Sequence, residues 1–434
     1  MPQALIESLD HEGKGVAHFE GKTVFVEGAL PGERVEFASL RRKPTYEFGT
    51  VRRILFESPY RVSPRCPHFG VCGGCIMQHL EFHAQTAMKQ RALEDALWHI
   101  ARLRPEQVFA AIEGPEWGYR HRARLSVRLV PRKGGVLVGF HERRSSYVAD
   151  MDRCEVLPRA ISDLLPALRR LIGALSVADR LPQVEVAMGD AATVLVLRVL
   201  DPPTAQDEAA MREFADRFGV VIHLQPGGPE TAFPFHPPQP PQLAYRLPEF
   251  GVRIAFMPTD FTQVNHAMNE VLVRRAVQLL DAHAGERVLE LFCGLGNFTL
   301  PIARGGARVT AIEGNPALIA QARENARANG LAARVRFIAG DLFALDEAVL
   351  GEFGGQEKML IDPPREGAIE VIKALAEDAP RRIVYVSCNP ATLARDAAVL
   401  VRQKGYRLRG AGILNMFPHT AHVESIACFE RGAA

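Results

Sequence analysis

The chain has 434 residues, of which 47% are hydrophobic and 24% are charged, so it can form two or three packed domains. Its first residues, MPQALIESLDHEG, contain acids where an export signal has a basic start followed by an apolar core. No apolar run approaches the length that spans a bilayer. We therefore expect a cytoplasmic protein that makes no membrane contact. The formal net charge of +2 is too small to indicate a nucleic-acid partner by itself.

The amino-terminal segment predicts a small all-β barrel. Short runs typical of strands, KTVFVEG and ERVEFASL, are interrupted at Gly21, Gly28 and Pro31-Gly32. We assign residues 1–57 to this first domain.

Cysteines follow this barrel in an uneven pattern. Seven cysteines in a chain without an export signal favour metal binding or catalysis over a disulfide scaffold. Three lie close together and a fourth is remote, which gives four thiolates for one metal centre: Cys66, Cys72, Cys75 and Cys154. Iron–sulfur and zinc sites can both use four cysteines, although structural zinc sites more often use two closely spaced pairs. Cys293 and Cys428 lie within apolar runs and are predicted to be core thiols.

A middle domain is expected after the barrel. It contains a helical pattern over residues 81–103 and an alternating run, YRHRARLSVRLV, over residues 119–130. In a strand this run has one apolar face and one arginine face. The arginine face is either a solvated strand edge or a phosphate-binding surface, and Arg122 and Arg124 are its candidate phosphate contacts.

The proline-dense residues 225–248 predict a linker or an extended surface loop, so the middle domain covers residues 58–250. A third domain covers residues 251–434. From Gly285 onward, helical stretches alternate with apolar runs typical of strands: RVLELF, RVTAIE, RVRFIAG, KMLIDP and RIVYVSC. This order indicates an α/β, Rossmann-like fold with a doubly wound sheet.

A glycine-rich turn at Gly294 and Gly296 follows the first of these strands, where the backbone can approach a nucleotide-like cofactor. Thr299 replaces the third glycine of the dinucleotide pattern, which argues against NAD. Glu313 ends the next strand, about twenty residues later, where an acid can bind both ribose hydroxyls. Asp341 follows the third strand and is expected on the adenine side. A purely structural turn is the alternative for this glycine pattern.

Three further side chains are predicted at the same edge of the sheet. Asp362 begins an Asp-Pro-Pro sequence after a strand, and Cys388 ends the next strand. The residue after Asp-Pro-Pro is Arg365 and not the aromatic residue common in amino-directed methyltransferases. Cys388 is the candidate nucleophile because a thiolate reacts near neutral pH and can leave again. Glu424 is the candidate general base; the structural alternatives are a buried thiol and a solvated acid.

With these residues in hand, the chain resembles the uracil-C5 RNA methyltransferase family over nearly its full length. The resemblance is closest to the bacterial members that act on 23S ribosomal RNA. Its motifs are FTQVN (261–265), LFCGLGNFTLP (291–301), IEGNPALI (312–319), IDPPREGA (361–368), VSCNPATLARD (386–396) and MFPHTAHVES (416–425).

The resemblance implies a role for each motif. Cys388 would add to carbon 6 of a uridine, which makes carbon 5 nucleophilic, and Glu424 would then remove the carbon 5 proton. Phe261 would lie near the flipped uridine. The implied S-adenosylmethionine site consists of Gln263, Phe292, Asn297, Glu313, Asp341 and Asp362.

The resemblance also implies an architecture. The barrel would be a TRAM domain, an OB-like fold that holds RNA, with Arg41-Arg42-Lys43 as phosphate contacts. The central α+β domain would carry a [4Fe-4S] cluster on Cys66, Cys72, Cys75 and Cys154, in preference to zinc. The expected partner is 23S ribosomal RNA, and we expect a monomer. Methylation of another ribosomal or transfer RNA uridine, or a catalytically inactive RNA-binding relative, are the alternatives.

Overall fold

The computed structural model describes residues 1–344, 350–351, 353, 355–376 and 379–432. Three large β-sheets and a two-stranded hairpin organise this part of the chain. Four hydrophobic cores fill it, and one of them contains side chains from two of the large sheets. No helix in these ranges is both long enough and apolar enough to cross a membrane.

The first sheet is a six-stranded barrel-like sheet with the order β1-β5-β6-β4-β3-β2. Gly21, Gly28 and Gly32 all have positive φ angles, as turns between twisted strands require. Val24, Val26 and Phe37 are among the buried side chains that fill it. Its strands are β1 (Gln3–Leu5), β2 (Ser8–Leu9), β3 (Gly15–Phe19), β4 (Lys22–Glu27), β5 (Arg34–Arg42) and β6 (Tyr46–Phe56).

The predicted helix after the cysteines is present as α1 (Phe82–Ala96), followed by one turn of π-helix, Leu97–Ala101. Glu81 caps its first turn by accepting a hydrogen bond from the Ala84 backbone N–H. Leu93 of α1 and Leu97 of the π-helical turn are buried against the third sheet. The short strand β7 (Gln107–Val108) then joins the edge of that same sheet.

The second sheet is mostly antiparallel and has the order β13-β12-β11-β10-β8-β9. Its strands are β8 (Arg122–Val130), β9 (Gly135–Gly139), β10 (Gln183–Met188), β11 (Thr193–Arg198), β12 (Val221–Gln225) and β13 (Phe233–His236). The helices of this region are α2 (Arg159–Ser162), α3 (Leu165–Ala174) and α4 (Ala205–Phe218). Within β8, Ala123, Leu125 and Val127 are buried as the alternating pattern predicts, whereas Leu129 is exposed.

The third sheet has eight strands in the order β18-β17-β16-β19-β20-β22-β21-β7. Strands β16 to β20 run parallel, and the antiparallel pair β21 and β22 follows β20. Its other strands are β16 (Arg287–Leu291), β17 (Arg308–Glu313), β18 (Val335–Ala339), β19 (Lys358–Ile361), β20 (Arg382–Ser387), β21 (Tyr406–Leu414) and β22 (Glu424–Arg431). The accompanying helices are α5 (His266–Leu280), α6 (Thr299–Arg304), α7 (Pro316–Ala328), α8 (Ile369–Lys373) and α9 (Pro390–Arg402). This arrangement confirms the predicted Rossmann-like domain.

The packing does not follow the predicted boundaries of the middle domain. A hairpin of β14 (Ala244–Leu247) and β15 (Val252–Ala255) pairs across residue 250 and packs into the core of the third sheet. Likewise, α1 and β7 come before the second sheet in sequence but pack on the third. The proline-dense segment contains the edge strand β13, where missing N–H donors are tolerated.

Candidate active site

A cavity of about 680 Å³ opens at the carboxyl ends of the parallel strands. This is where open α/β sheets bind their ligands. The side chains that line it include all six predicted cofactor residues: Gln263, Phe292, Asn297, Glu313, Asp341 and Asp362. The candidate nucleophile Cys388, the candidate base Glu424 and Phe261 line the same cavity. The structure therefore brings these nine predicted side chains together.

The glycine-rich turn forms the floor of this cavity. The φ angles of Gly294 and Gly296 are 51° and 93°, in the left-handed region that glycine adopts at little cost. Phe292, at the start of the turn, also has a positive φ angle, 63°. One carboxylate oxygen of Glu313 accepts a hydrogen bond from the Gly294 N–H at 3.2 Å, and the other accepts one from the Asn315 N–H at 2.9 Å. Glu313 thus joins the turn to the end of β17.

Asn297 is held by two residues that the sequence did not single out. Its side chain exchanges two hydrogen bonds with the Asn269 amide, both 2.9 Å long, and accepts a third from the Tyr245 hydroxyl at 2.9 Å. Tyr245 comes from the β14–β15 hairpin and Asn269 from α5. The amide of Asn297 is therefore occupied by the protein and fixes the shape of the turn.

Strand register brings the reactive side chains to one end of the sheet. Ser387 of β20 pairs with Ser425 of β22, so Cys388, one residue later, and Glu424, one residue earlier, leave their strands at the same end. Asp362 follows β19, whose last residue pairs in parallel with β20. Neighbouring strands lie about 4.8 Å apart, so the three side chains occupy adjacent positions.

Burial dominates the electrostatics of this group. Burial raises the pKa of Asp362 to about 7, and burial, followed by the Asp362 charge, raises the pKa of Glu424 well above its usual value. Burial and the carboxylates of Glu424 and Asp362 raise the pKa of the Cys388 thiol to about 11, while Arg365 acts in the opposite direction. In the free protein the thiol is therefore protonated at neutral pH.

The effect of Arg365 on the pKa of the Cys388 thiol can be tested. Because its charge lowers the pKa of Cys388, Arg365→Met should raise this pKa and move the rising limb of the alkylation rate to higher pH. Below the pKa, each unit of increase costs about tenfold in thiolate, so alkylation near pH 8 should fall by up to about tenfold. Iodoacetamide labelling of the Cys388 peptide without RNA measures this effect. Arg91→Met, on the exposed side of α1, is the control, and an unchanged profile in Arg365→Met would refute the assignment.

A second, larger groove of about 910 Å³ meets the first cavity at Cys388. All three sheet regions contribute to it, through Lys14 and Glu27 of the barrel, Arg143 and Arg144 of the middle region, and the Cys388 end of β20. Arg365 and His422 also line both spaces, and an Arg365 N–H donates to His422 Nδ1 at 3.1 Å. Cys388 thus lies at the boundary that the cofactor cavity and the groove share.

The predicted arginine face is only partly available. Arg122 donates to the Thr259 carbonyl at 3.0 Å, and Arg124 forms a 2.9 Å ion pair with Glu185. Neither lines the cavity or the groove. Arg120 lies on the same face of the predicted strand and does line the cavity. The alternating pattern includes Arg120 on this face, but only Arg122 and Arg124 were named as candidate contacts.

The four cysteines predicted to form a metal centre lie near one another. Cys66, Cys72, Cys75 and Cys154 line one cavity of about 200 Å³. Burial raises the pKa of all four thiols. Among the residues that the structure describes, however, no three or more His, Cys, Asp or Glu side chains are grouped so as to hold a single metal ion. Cys293 and Cys428 are buried in the core, as predicted.

Two family models match the sequence. The model described as tRNA (Uracil-5-)-methyltransferase matches residues 251–431, and the TRAM domain model matches residues 3–38. These matches confirm the predicted TRAM barrel and the methyltransferase domain.

Comparisons with whole proteins extend this result. A protein of Aromatoleum aromaticum is 62% identical over 99% of this chain and 100% of its own length, and one of Dechloromonas aromatica is 59% identical with the same coverage. Both are named 23S rRNA (uracil(1939)-C(5))-methyltransferase RlmD. The crystal structure of Pyrococcus abyssi tRNA (uracil-54, C5)-methyltransferase with S-adenosyl-L-homocysteine has a TM-score of 0.74, 23% identity, and coverage of 99% of this chain and 100% of its own. That likeness supports the fold. The chain belongs to the RNA uracil-C5 methyltransferase family of S-adenosylmethionine-dependent enzymes.

Proposed function

We propose that the protein transfers a methyl group from S-adenosylmethionine to carbon 5 of a uridine in 23S ribosomal RNA. The observation that carries this proposal is the position of Cys388, which lines both the cofactor cavity and the groove. A nucleophile at such a junction can reach a base that enters from the groove while the cofactor occupies the cavity. The ribosomal substrate is that of the full-length relatives.

The residues around the turn would bind the cofactor. Glu313 ends β17 and Asp341 follows the adjacent β18, positions where carboxylates meet ribose hydroxyls and the nucleoside. Phe292 offers an apolar surface, and Gln263 and Asp362 line the inner part of the cavity. When bound, S-adenosylmethionine supplies an electrophilic methyl group on a positively charged sulfur. The Asp362 carboxylate offers a complementary negative charge.

The chemistry then proceeds through the protein's own side chains. The Cys388 thiolate forms a bond to carbon 6 of the uracil, and the electron pair of the 5,6 double bond becomes an enolate with its density on carbon 5. Carbon 5 would then bond to the methyl group as the methyl–sulfur bond of S-adenosylmethionine breaks, which leaves S-adenosylhomocysteine. Glu424 removes the remaining carbon 5 proton, the 5,6 double bond re-forms, and the carbon 6 to sulfur bond breaks, which releases the thiolate.

The raised pKa of Glu424 suits this task. Burial keeps the Glu424 carboxylate away from water and raises its pKa, so the carboxylate is a strong enough base to retain a proton taken from carbon. A base must nevertheless be ionised when it acts, so turnover should rise with pH from the acidic side.

The groove is suited to a single-stranded RNA segment. Lys14, Arg143 and Arg144 provide positive charge along it, although Lys14 pairs with Glu12 and both arginines pair with Glu27. On the barrel, Phe25 of β4 packs against Tyr46 and Phe48 of β6, with ring centroids 6.3 and 5.5 Å apart. These rings are partly exposed, and Glu27, which shares the outward face of β4 with Phe25, lines the groove. Aromatic rings beside a basic groove can stack unpaired bases.

Basic residues at the hairpin between β5 and β6 would extend this RNA surface. Arg41 and Arg42 are exposed there, Lys43 is half-buried, and Arg42 pairs with Glu47 at 3.3 Å. Arg124 remains a candidate phosphate contact because its side chain is 65% exposed, whereas Arg122 is largely enclosed.

We also propose that the four cysteines bind a [4Fe-4S] cluster. In such a cluster each thiolate binds a different iron, so the sulfurs surround a shared volume and do not converge on one ion, as the ligands of zinc must at about 2.3 Å. Backbone N–H groups donate hydrogen bonds that stabilise the thiolate form of two of these cysteines. The Gly74 N–H donates to the Cys72 sulfur at 3.4 Å, and backbone N–H groups of Val156 and Leu157 donate to that of Cys154. The cluster would brace the surrounding loops and takes no part in the methyl transfer proposed here.

Metal analysis tests this second proposal. Protein purified without oxygen should contain about four iron atoms and four sulfides per chain, with visible absorption that oxygen bleaches. Cys154→Ser should lose iron and unfold at a lower temperature, because it removes the ligand that ties the middle sheet to the cysteine loop. Cys428→Ser, another buried thiol, is the control and should retain iron. Full iron content in Cys154→Ser, or bound zinc in the native protein, would contradict the cluster.

The cellular setting follows from the substrate. We propose that the enzyme acts as a monomer in the cytoplasm, where ribosomal RNA is made and assembled. Sedimentation at micromolar concentration, with and without RNA, measures the oligomeric state.

The function itself is tested with labelled S-adenosylmethionine and unmodified RNA. Incubation with 23S ribosomal RNA should yield 5-methyluridine at one position, and transfer RNA should yield little. The reverse preference would favour a transfer RNA enzyme. Cofactor and RNA binding without any transfer would favour an inactive RNA-binding relative.

A further inference from the structure

The loop that carries the candidate base is a long hairpin connection. Leu414, at the end of β21, pairs with Glu424, at the start of β22, and residues 415–423 form the loop between them. His419 has a left-handed backbone conformation, with φ at 65°. Because Glu424 is the first residue of β22 after this loop, strand register sets its place in the sheet, and the loop sets the path of the chain that leads into it.

A buried lysine of α1 binds the beginning of the loop. The Lys89 ammonium donates to the Asn415 side-chain oxygen at 2.7 Å and to the Phe417 carbonyl at 2.8 Å. Its side chain is fully buried, and among the described residues no carboxylate pairs with it. Burying an ammonium group without a counter-charge is costly. A methionine would fill the same space more cheaply, so the lysine is explained by the two acceptors that it binds.

A glutamine one turn earlier on α1 binds the middle of the loop. The Gln85 side-chain oxygen accepts a hydrogen bond from the His419 backbone N–H at 2.8 Å, and its amide nitrogen lies 3.2 Å from His419 Nδ1. The same amide donates to the carbonyls of Met77 and Leu80. Gln85 therefore connects the cysteine loop, α1 and the base-bearing loop.

Other groups complete the attachment. The His419 carbonyl accepts hydrogen bonds from the backbone N–H groups of Ile76 and Met77, which directly follow Cys75. The Tyr119 hydroxyl donates to the Pro418 carbonyl at 2.9 Å, and the ring of Trp117 stacks on that of His419 with centroids 4.0 Å apart. Segments far away in sequence thus bind the loop at successive residues.

We propose that Lys89 and Gln85 are positioning residues that hold the 415–423 loop so that Glu424 reaches the carbon 5 proton of the Cys388-bound uridine. Neither side chain lines the cofactor cavity or the groove, so neither contacts substrate. This inference rests on the proposed function and adds to it a structural device for the proton-removal step.

Lys89→Met tests the inference because it keeps the length of the side chain and removes both hydrogen bonds. Lys358→Met is the matched control. Lys358 is also buried, and it binds the Asp281 carbonyl and Glu286, away from the loop. Both variants are measured at a temperature where circular dichroism shows them to be fully folded.

The expected result is a split between binding and turnover. Lys89→Met should lower kcat by about 10- to 100-fold, the loss that a displacement near 1 Å causes, with S-adenosylmethionine affinity and the KM for RNA nearly unchanged. The covalent protein–RNA species should accumulate on denaturing gels, because methylated adduct then waits for proton removal. Lys358→Met should keep wild-type kcat and show no such accumulation.

Three results would overturn the proposal: unchanged kcat in folded Lys89→Met, an equal loss in Lys358→Met, or a loss without accumulated adduct. If Lys89→Met does not fold, Gln85→Met is judged by the same three criteria. A wild-type enzyme that fails to methylate RNA would instead refute the proposed function, which separates the two failures.

Discussion

Cys388→Ala is expected to reduce methyl transfer by about 10⁴-fold or more, the scale of loss when an enzyme loses its nucleophile. Without addition at carbon 6, carbon 5 of uracil has too little electron density to take the methyl group. S-adenosylmethionine affinity should change little, because the turn at Gly294 and the Glu313 carboxylate are independent of the thiol. Initial rates of labelled methyl transfer and equilibrium binding of the cofactor measure the two effects separately.

Cys428→Ala is the matched control for this result. Cys428 is a buried thiol of β22, which pairs with β20 away from the reactive end. Its loss should cost some stability and leave activity intact. Transfer that survives in Cys388→Ala would refute the covalent mechanism, even if the product were still 5-methyluridine.

Glu424→Gln should lower turnover by about 10²- to 10⁴-fold and trap the enzyme on its RNA. The glutamine side chain cannot accept the carbon 5 proton, so the methylated adduct cannot eliminate the Cys388 thiolate. A covalent species should therefore appear on denaturing gels with ordinary uridine-containing RNA, and it should carry the labelled methyl group. Because the amide is neutral, it also removes a negative charge that raises the pKa of Cys388.

Glu430→Gln is the control for the base. Glu430 lies near the other end of β22, where it forms ion pairs with Arg382 and Arg409. This variant should turn over normally. Free, methylated RNA released by Glu424→Gln at the wild-type rate would show that another group removes the proton.

Local sequence patterns predicted most of the catalytic domain. The five apolar runs each became a parallel strand. Four of these strands are largely buried and leave a continuous hydrophobic signal, whereas the edge strand β18 buries only Phe337. Residues at the ends of those strands, such as Asp362 and Cys388, necessarily meet at one edge of the sheet. Glu313, Asp341, Asp362 and Cys388 could therefore be named from the strand pattern. Four other residues of the cavity came from the family resemblance: Phe261, Gln263, Phe292 and Asn297.

The supporting residues could not be found in the same way. Lys89, Gln85 and Tyr245 act on segments far away in the chain, and a single lysine in a helical pattern is more often solvated than buried. The middle domain shows the same limit. Pairing across residue 250 and the packing of α1 on the third sheet are tertiary effects that composition does not encode.

The arginine face of β8 shows that an alternating pattern identifies a face but not which of its residues are free to bind a ligand. Alternation correctly grouped the arginines on one face, but Glu185 on neighbouring β10 pairs with Arg122 and Arg124. Only the register between the two strands reveals this pairing. Arg120, one step earlier on that face, reaches the cavity instead.

Release of tritium from 23S ribosomal RNA labelled at carbon 5 of its uridines tests the central claim most directly. Methylation at carbon 5 replaces that hydrogen, so the mechanism predicts one tritium released to water for each methyl group incorporated. Both should disappear together in Cys388→Ala. Methyl incorporation without tritium release would place the methyl group on another atom and contradict the proposed reaction.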